Sequence, residues 1–167
     1  MATKTSALKD SLGSIPIPPP VIIVSLSQLG ITASQFLAHR GHGTSVHRFK
    51  ASTGKLLALC GALISLWAAI TMIKDGQSPN PGNEKTKIVT SGPFRFTRNP
   101  IYLGATATAL GRSISKNSFL GVVLSMLGWF YVDQIVVPKE EQYLLSKLED
   151  QYATYLTATP RWIQPKK

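Results

Sequence analysis

The 167-residue chain is long enough for one domain, and 44% of its residues are hydrophobic although 18 are Lys or Arg, so apolar and charged residues must occupy separate stretches. The net charge of +10 could suit a nucleic-acid partner, but the sequence has no recognisable nucleic-acid-binding module, and charged loops between apolar blocks are typical of a membrane protein. Cys60 is the only cysteine, which excludes an internal disulfide and a cysteine-based metal site.

Residues 1–20 predict a surface arm that ends in a stiff run of prolines. Lys4 and Lys9 precede an apolar stretch, as they would in a signal peptide, but prolines interrupt it and no small-residue cleavage site follows. We therefore expect residues 21–38 to form an uncleaved first span, just long enough to cross a hydrocarbon core of roughly 30 Å. Its Ser, Thr and Gln side chains could hydrogen-bond to neighbouring helices or line a cavity.

Three histidines, His39, His42 and His47, lie in the loop that follows. A metal site could be imagined from them, but no carboxylate or cysteine accompanies them and flexible glycines flank them. We therefore predict a solvated loop and no metal site.

Three more apolar blocks predict three further spans. Residues 56–73 are uncharged, residues 100–114 are brief and rich in small side chains, and residues 118–137 complete a hairpin with them. The small side chains favour a helix that packs inside the bundle and is tilted or only partly crosses it. The loop at 74–99 is rich in Gly, Pro and Asn and should be irregular, with a short extended stretch at 86–89.

The chain after Pro138 predicts one amphipathic helix, at 139–156. Its apolar residues recur at intervals of three and four, and the resulting stripe could lie along the membrane or cover a pocket; these residues are Leu144, Leu148, Tyr152 and Tyr155. The predicted fold class is all-α: a polytopic membrane helix bundle with about four transmembrane helices. Its parts are an arm (1–20), the bundle (21–138, including the loop 74–104), and a C-terminal helix and tail (139–167).

Asp133 lies near the end of the last predicted span. A carboxylate that faces lipid is costly, which makes Asp133 a functional candidate. Alternatively, the helix has already reached the membrane interface at this point, where Lys139 could pair with the carboxylate.

The charge distribution predicts the orientation. With four spans, the arm, the loop 74–99 and the C-terminal tail share one side, which carries 12 Lys and Arg against 6 in the other two loops. The positive-inside rule makes the first side cytoplasmic. The loop 74–99 and the acidic pair Glu140-Glu141 would then face the same compartment and could build one site.

Residues 91–104, with the sequence SGPFRFTRNPIYLG, carry two arginines and three aromatic rings at the start of an apolar helix, a composition that suits a charged, flat-ringed ligand at a membrane surface. Further along the chain follow Glu140-Glu141-x-x-Leu144, Tyr152-x-x-Tyr155 and Arg161-Trp162. Together these motifs resemble the isoprenylcysteine carboxyl methyltransferase family, which is related to the phospholipid methyltransferases, and in particular its small four-span branch. The resemblance is strong over residues 76–162.

The resemblance implies an integral-membrane enzyme that uses S-adenosylmethionine to methylate a lipophilic acceptor, such as an isoprenylcysteine-like carboxylate. It also implies a cofactor pocket formed by Thr86, Lys87, Ile88, Val89, Phe94, Asn99, Pro100, Ile101, Tyr102 and Glu140. Arg95, Arg98, Glu141 and Asp133 are further candidates for the site. No catalytic residue is assigned, because methyl transfer from a sulfonium mainly requires donor and acceptor to be aligned.

Each of these residues also has a structural alternative. Asn99 and Pro100 are favoured as N-cap and first residue of a helix, whose free N–H groups could in turn bind an anionic group. Arg95 and Arg98 could anchor to lipid phosphates instead of a ligand. Glu140 and its neighbour could be first-turn acids favoured by the helix dipole.

Three positions differ from the prenylcysteine enzymes of the family. Asn99 replaces a His, Phe94 replaces a Tyr, and Val136 replaces a substrate-binding Arg. The last difference argues against a prenylcysteine carboxylate as the acceptor. Two other functions remain open at this point: a non-catalytic scaffold or ligand sensor, and a membrane enzyme that uses another soluble cosubstrate such as glutathione.

Overall fold

The part of the chain that the structure describes forms four helical rods and contains no β-strand, which confirms the predicted all-α class. The structure is a computed structural model and describes residues 18–39, 48–80 and 83–164. The first three rods are α1 (Pro19–His39), α2 (Arg48–Lys74) and α3 (Pro100–Ser115). The fourth consists of α4 (Phe119–Tyr131), a π-helical turn (Val132–Val136) and α5 (Val137–Ala158). The predictions for residues 1–17, and for His42 and His47, lie outside the described residues.

Three of these rods are long and apolar enough to cross a membrane: α1, α2 and the fourth rod. On α2, the side chains of Leu56, Leu59, Leu63 and Ile73 are each more than half exposed, as expected for a surface that faces lipid. The prediction of about four spans is corrected by α3, whose 16 residues extend about 24 Å at 1.5 Å per residue, short of a hydrocarbon core of roughly 30 Å. The side of the membrane on which each loop lies stays a prediction.

The fourth rod does not break at Pro138, where the sequence predicts the start of a separate helix. The 30 residues before the kink at Glu149 extend about 45 Å at 1.5 Å per residue, longer than a hydrocarbon core of roughly 30 Å, so we expect part of α5 to project beyond the membrane. Proline is tolerated at this point because the preceding π-helical turn has already widened the helix; the N–H of Val137 donates to the carbonyl of Val132. The non-helical backbone of Glu149 (φ 39°, ψ −115°) then redirects the last turns of α5.

Close contact between two backbones joins α2 and α3. A Cβ atom placed on Gly61 would lie 2.6 Å from the carbonyl oxygen of Gly104, and one on Gly104 would lie 2.5 Å from the carbonyl oxygen of Gly61. Ser65 Oγ also donates to the carbonyl of Ile101 (3.1 Å). These small residues allow the close packing that the sequence predicts for this helix, and they fix where α3 begins.

The Gly61→Ala substitution is expected to lower the free energy of unfolding by about 1–3 kcal/mol, because the added methyl group would push against backbone atoms that have no free space to move into. Thermal unfolding of the detergent-purified protein would measure this loss. Leu63→Ala is the control, since Leu63 lies on the same helix with 54% of its surface exposed. Equal stability of Gly61→Ala and wild type would show that the two helices are not in tight contact.

A buried apolar cluster joins α1, α3 and the fourth rod. Its members are nearly inaccessible to solvent and comprise Ile23, Tyr102, Ala105, Ala109, Val132, Val136 and Val137. This cluster fixes Tyr102 and the start of α5 relative to each other, and it includes Val136, which is 0% exposed.

Candidate functional site

One cavity opens between the irregular loop after α2, the start of α3 and the inner face of α5. The space between its atoms, with the open mouth included, is about 980 Å³. The residues that line it are Pro20, Met72, Gln77, Pro79, Lys85, Lys87, Ile88, Val89, Phe94, Arg98, Asn99, Pro100, Ile101, Tyr102, Glu140, Glu141, Tyr143, Leu144, Tyr152 and Tyr155.

Nine of the ten residues assigned to the cofactor pocket by resemblance lie in this wall, and Thr86 is the exception. Thr86 instead holds the loop closed: Gln77 Nε2 donates to Thr86 Oγ1 (2.8 Å), and the N–H of Thr86 donates to Gln77 Oε1 (3.1 Å). Among the four further candidates, Arg98 and Glu141 line the cavity, whereas Arg95 and Asp133 do not.

Lys85 brings a positive charge to the cavity wall. Its ammonium group donates to the carbonyl oxygens of Ser78 and Asn80, the latter at 3.1 Å, which ties it to the loop. Burial lowers the pKa of Lys85 from its ordinary value, and the nearby carboxylate of Glu140 partly opposes this shift. The loop thus presents a cation opposite an acidic side chain across the cavity.

The segment between the loop and α3 turns Phe94 inward and its neighbours outward. Gly92 adopts a φ of 57°, a backbone conformation that favours glycine, and starts a short 3₁₀ helix (Gly92–Arg95). Phe94 is 8% exposed, and its carbonyl accepts a hydrogen bond from Tyr155 Oη (2.7 Å). Arg95 and Phe96 are exposed on the other side, so Arg95 is not part of the cavity.

Asn99 occupies the predicted N-cap position of α3, and Pro100 is the first helical residue. The Asn99 side chain makes no capping hydrogen bond to the helix, and its Nδ2 donates to the carbonyl of Arg161 (3.2 Å). The first turn of α3, which carries Ile101 and Tyr102, therefore reaches the cavity without a side-chain cap.

Tyr102 and Glu140 connect the two main walls of the cavity. The hydroxyl of Tyr102 donates to Glu140 Oε1 at 2.7 Å, and the ring is only 6% exposed because it belongs to the apolar cluster. The carboxylate of Glu140 is thus held by a rigid partner at the edge of the cavity, where it can accept a hydrogen bond from a ligand.

The neighbouring acid, Glu141, is held by two arginines. Arg98 Nη2 donates to Glu141 Oε1 (2.8 Å), and Arg161 donates to both carboxylate oxygens, from Nε (3.1 Å) and from Nη2 (2.5 Å). This contact raises the pKa of Arg161 above its ordinary value. Arg98 Nη1 also donates to the carbonyls of Leu156 and Thr159, both at 3.1 Å. Glu141 and Arg98 therefore join elements of the fold, although both also line the cavity.

Asp133 has different partners from the one suggested by the sequence. Trp162 Nε1 donates to its Oδ1 at 2.7 Å, and Arg161 Nη1 lies 3.7 Å from the same oxygen. The cation beside Asp133 is thus Arg161 and not Lys139. This contact ties the fourth rod to the C-terminal segment.

Several cavity residues carry no recognisable pattern in the sequence. Gln77 and Lys85 come from an irregular loop, and Tyr143 is the neighbour of a residue in the predicted apolar stripe. The stripe itself is partly confirmed: Tyr152 and Tyr155 are buried, Leu144 lines the cavity, and this face of α5 covers a pocket.

Metal ligands are not grouped anywhere in the described part of the chain: it contains no cluster of three or more His, Cys, Asp or Glu side chains that could hold an ion. Two of the three histidines lie outside that part.

The chain is similar to membrane methyltransferases. A model of the phospholipid methyltransferase (PEMT) family matches residues 49–151, which include α2, α3 and the part of the fourth rod that carries Glu140. The protein-S-isoprenylcysteine O-methyltransferase of Schizosaccharomyces pombe is 31% identical over 98 residues, 55% of this chain and 41% of the relative. The chain therefore spans less than half the length of that relative, and no solved structure matches it. With more than half of its residues matched by the family model, the chain belongs to the phospholipid methyltransferase family.

Proposed function

We propose that the protein is a membrane methyltransferase that binds S-adenosylmethionine in the cavity between the loop after α2, the start of α3 and α5, and transfers its methyl group to a lipophilic acceptor. Family membership supports the reaction class. The observation that carries the proposal for this site is the pairing of Tyr102 with Glu140 across the cavity wall, between two segments that are separate in the sequence.

The residues of the cavity fit this cofactor. S-adenosylmethionine combines a flat aromatic base, hydroxyl groups, an amino-acid end and a sulfonium. Aromatic walls from Phe94 and Tyr102 suit the base, and the Glu140 carboxylate suits hydroxyl or amino groups that donate hydrogen bonds. Lys85 and Lys87 supply cations for a carboxylate, and the uncapped first turn of α3 supplies backbone N–H groups.

When bound, S-adenosylmethionine supplies a methyl group that is already activated for displacement. The residues of this chain therefore need mainly to bind and orient the cofactor and the acceptor and to exclude water. Supplying a nucleophile or a base is less important. Correct positioning of two reactants can contribute on the order of 7–11 kcal/mol to lowering a barrier. The buried Tyr102 and the loop tied by Gln77 provide such rigid positioning.

The surroundings of Val136 bear on the acceptor. This residue is fully buried in an apolar cluster with Ile23 and Tyr102, directly next to the cavity wall. Val136 does not line the cavity, and its apolar side chain offers no positive charge to an acceptor carboxylate. The apolar packing behind the cavity wall supports a lipophilic acceptor that arrives from the lipid phase.

Saturable binding of S-adenosylhomocysteine, the demethylated cofactor, to the full-length protein in detergent is the expected result that tests this proposal. Calorimetry or equilibrium dialysis would measure it, with glutathione as a comparison ligand at equal concentration. Transfer of a labelled methyl group from S-adenosylmethionine into a total lipid extract should follow. Binding without transfer would favour a ligand sensor, whereas binding of glutathione alone would favour a different cosubstrate.

A further inference from the structure

The last described segment of the chain runs along the outside of the cavity and joins its two walls. Residues 159–162, here named the C-terminal clasp, lie beyond the part matched by the family model, which ends at residue 151. Four hydrogen bonds attach the clasp to three consecutive residues before α3, and one of them joins Arg98 Nη1 to the carbonyl of Thr159 (3.1 Å). The N–H of Arg98 donates to the carbonyl of Pro160 (3.0 Å), and the carbonyl of Arg161 accepts from Thr97 Oγ1 (2.7 Å) and Asn99 Nδ2 (3.2 Å).

The side chains of the clasp bind the other wall. Arg161 contacts Glu141, the residue after Glu140, so its backbone is attached to the start of α3 while its guanidinium is attached to α5. The indole ring of Trp162 packs against Trp129 of α4, with ring centroids 6.0 Å apart. The clasp therefore links the segment that carries Asn99 to the rod that carries Glu140, in addition to the direct contacts of Tyr102 and Arg98 with this rod.

One side chain of the fourth rod, that of Asp133, holds the clasp in place. Asp133 lies in the π-helical turn, its side chain is only 13% exposed, and its carboxylate receives Trp162 Nε1 at 2.7 Å with Arg161 nearby at 3.7 Å. Along this chain of contacts the charges alternate, from Arg98 through Glu141 and Arg161 to Asp133, so each buried charge has a partner of opposite sign.

We propose that Asp133 is a positioning residue for the cofactor site. By holding Trp162 and Arg161, Asp133 fixes the C-terminal clasp. The clasp in turn keeps the wall that carries Asn99 and the wall that carries Glu140 at the separation that the cofactor requires. This inference rests on the proposed function, since the ligand whose binding it controls is S-adenosylmethionine. Asp133 does not line the cavity, so it would act on the ligand through the clasp.

The test compares two variants with one control. Asp133→Asn keeps the shape of the side chain but removes its charge, and Trp162→Phe keeps an aromatic ring but removes the N–H donor. Asp150→Asn makes the same chemical change at an exposed carboxylate of α5 away from the cavity. Binding of S-adenosylhomocysteine is measured well below the unfolding temperature of each variant, where a role in stability alone would leave the affinity unchanged.

The affinity should fall about 5- to 10-fold in Asp133→Asn and in Trp162→Phe, with a smaller than additive loss in the double variant, and should not change in Asp150→Asn. A readout independent of the ligand is tryptic cleavage after Arg161, which should become faster by a similar factor in the first two variants because the clasp is released more often. In the wild type, S-adenosylhomocysteine should slow this cleavage.

The two proposals fail in different ways. If the wild type does not bind S-adenosylhomocysteine, the proposed function is wrong. If the wild type binds it and Asp133→Asn binds it equally tightly, the proposed function stands and the positioning role of Asp133 is overturned. An Asp133→Asn variant that loses affinity without any change in cleavage after Arg161 would also overturn it, because the effect would then not pass through the clasp.

Discussion

Glu140→Ala is expected to weaken the binding of S-adenosylhomocysteine by roughly 10- to 100-fold. Hydrogen bonds to a charged group contribute about 1.5–3 kcal/mol, and about 1.4 kcal/mol corresponds to a factor of ten in affinity. Glu140 is the acidic side chain of the cavity whose hydrogen-bond partner is Tyr102 of the facing wall, and it is not bound by the arginines that hold Glu141. Equilibrium binding of the ligand to the purified variant would measure the loss.

The same substitution should change stability little, which makes the binding result interpretable. Glu140 is held by the single hydroxyl group of Tyr102, whose ring remains buried in the apolar cluster when the carboxylate is removed. Tyr102→Phe is the companion variant: it keeps the ring and should weaken binding by a smaller factor than Glu140→Ala. Unchanged affinity in Glu140→Ala would contradict both the assignment of this residue and the proposed cavity.

Sequence motifs identified most of the cavity wall because chemistry and helix boundaries coincide at residues 86–104. A Gly-Pro step, an Asn-Pro step and an apolar helix occur in a fixed order there, and a second acidic motif starts α5. Of the ten predicted cofactor residues, only Thr86 lies outside the wall. The sequence alone cannot show that Lys87 lines the cavity and Thr86 does not. In this irregular loop the direction of each side chain depends on the hydrogen bonds between Thr86 and Gln77.

The membrane architecture was predicted less accurately because local signals were overridden by packing. Pro138 is a helix breaker by its own chemistry, yet the fourth rod continues through it after a π-helical turn. The close packing of α3 was predicted from its small side chains, and the contact between Gly104 and Gly61 of α2 confirms it. The continuation of the rod through Pro138 could not be predicted from periodicity, because it follows from the π-helical turn before the proline.

Charged residues show the same limit. The sequence marked Asp133, Glu141 and Arg98 as candidates for one site, but it could not assign partners across intervals of 20 to 43 residues. These three residues belong to the group of contacts around Arg161 and Trp162, whereas Glu140 is bound by Tyr102. Adjacent acids on one helix thus have different partners, because successive side chains of a helix point in different directions.

Glu141→Ala is expected to lower the free energy of unfolding by about 3–5 kcal/mol, in contrast to its neighbour. Glu141 neutralises Arg98, whose side chain is 11% exposed, and it also binds Arg161 through both carboxylate oxygens. Its removal would leave the charge of Arg98 buried without a counterion, and Arg98 already has one buried nitrogen, Nε, without a hydrogen-bond partner. Thermal unfolding in detergent should show a decrease of roughly 10 °C in the midpoint.

Glu84→Ala is the matched control, because Glu84 also forms an ion pair, with Lys147, but is 59% exposed there. Exposed ion pairs contribute about 0–1 kcal/mol, so this variant should unfold close to the wild-type temperature. Glu141→Gln should lie between the two, since an amide can keep some hydrogen bonds with the arginines but cannot neutralise them. If Glu141→Ala and Glu84→Ala unfold at the same temperature, water or lipid headgroups already solvate Arg98. The ion pairs that connect α5, the start of α3 and the C-terminal clasp would then not stabilise the fold.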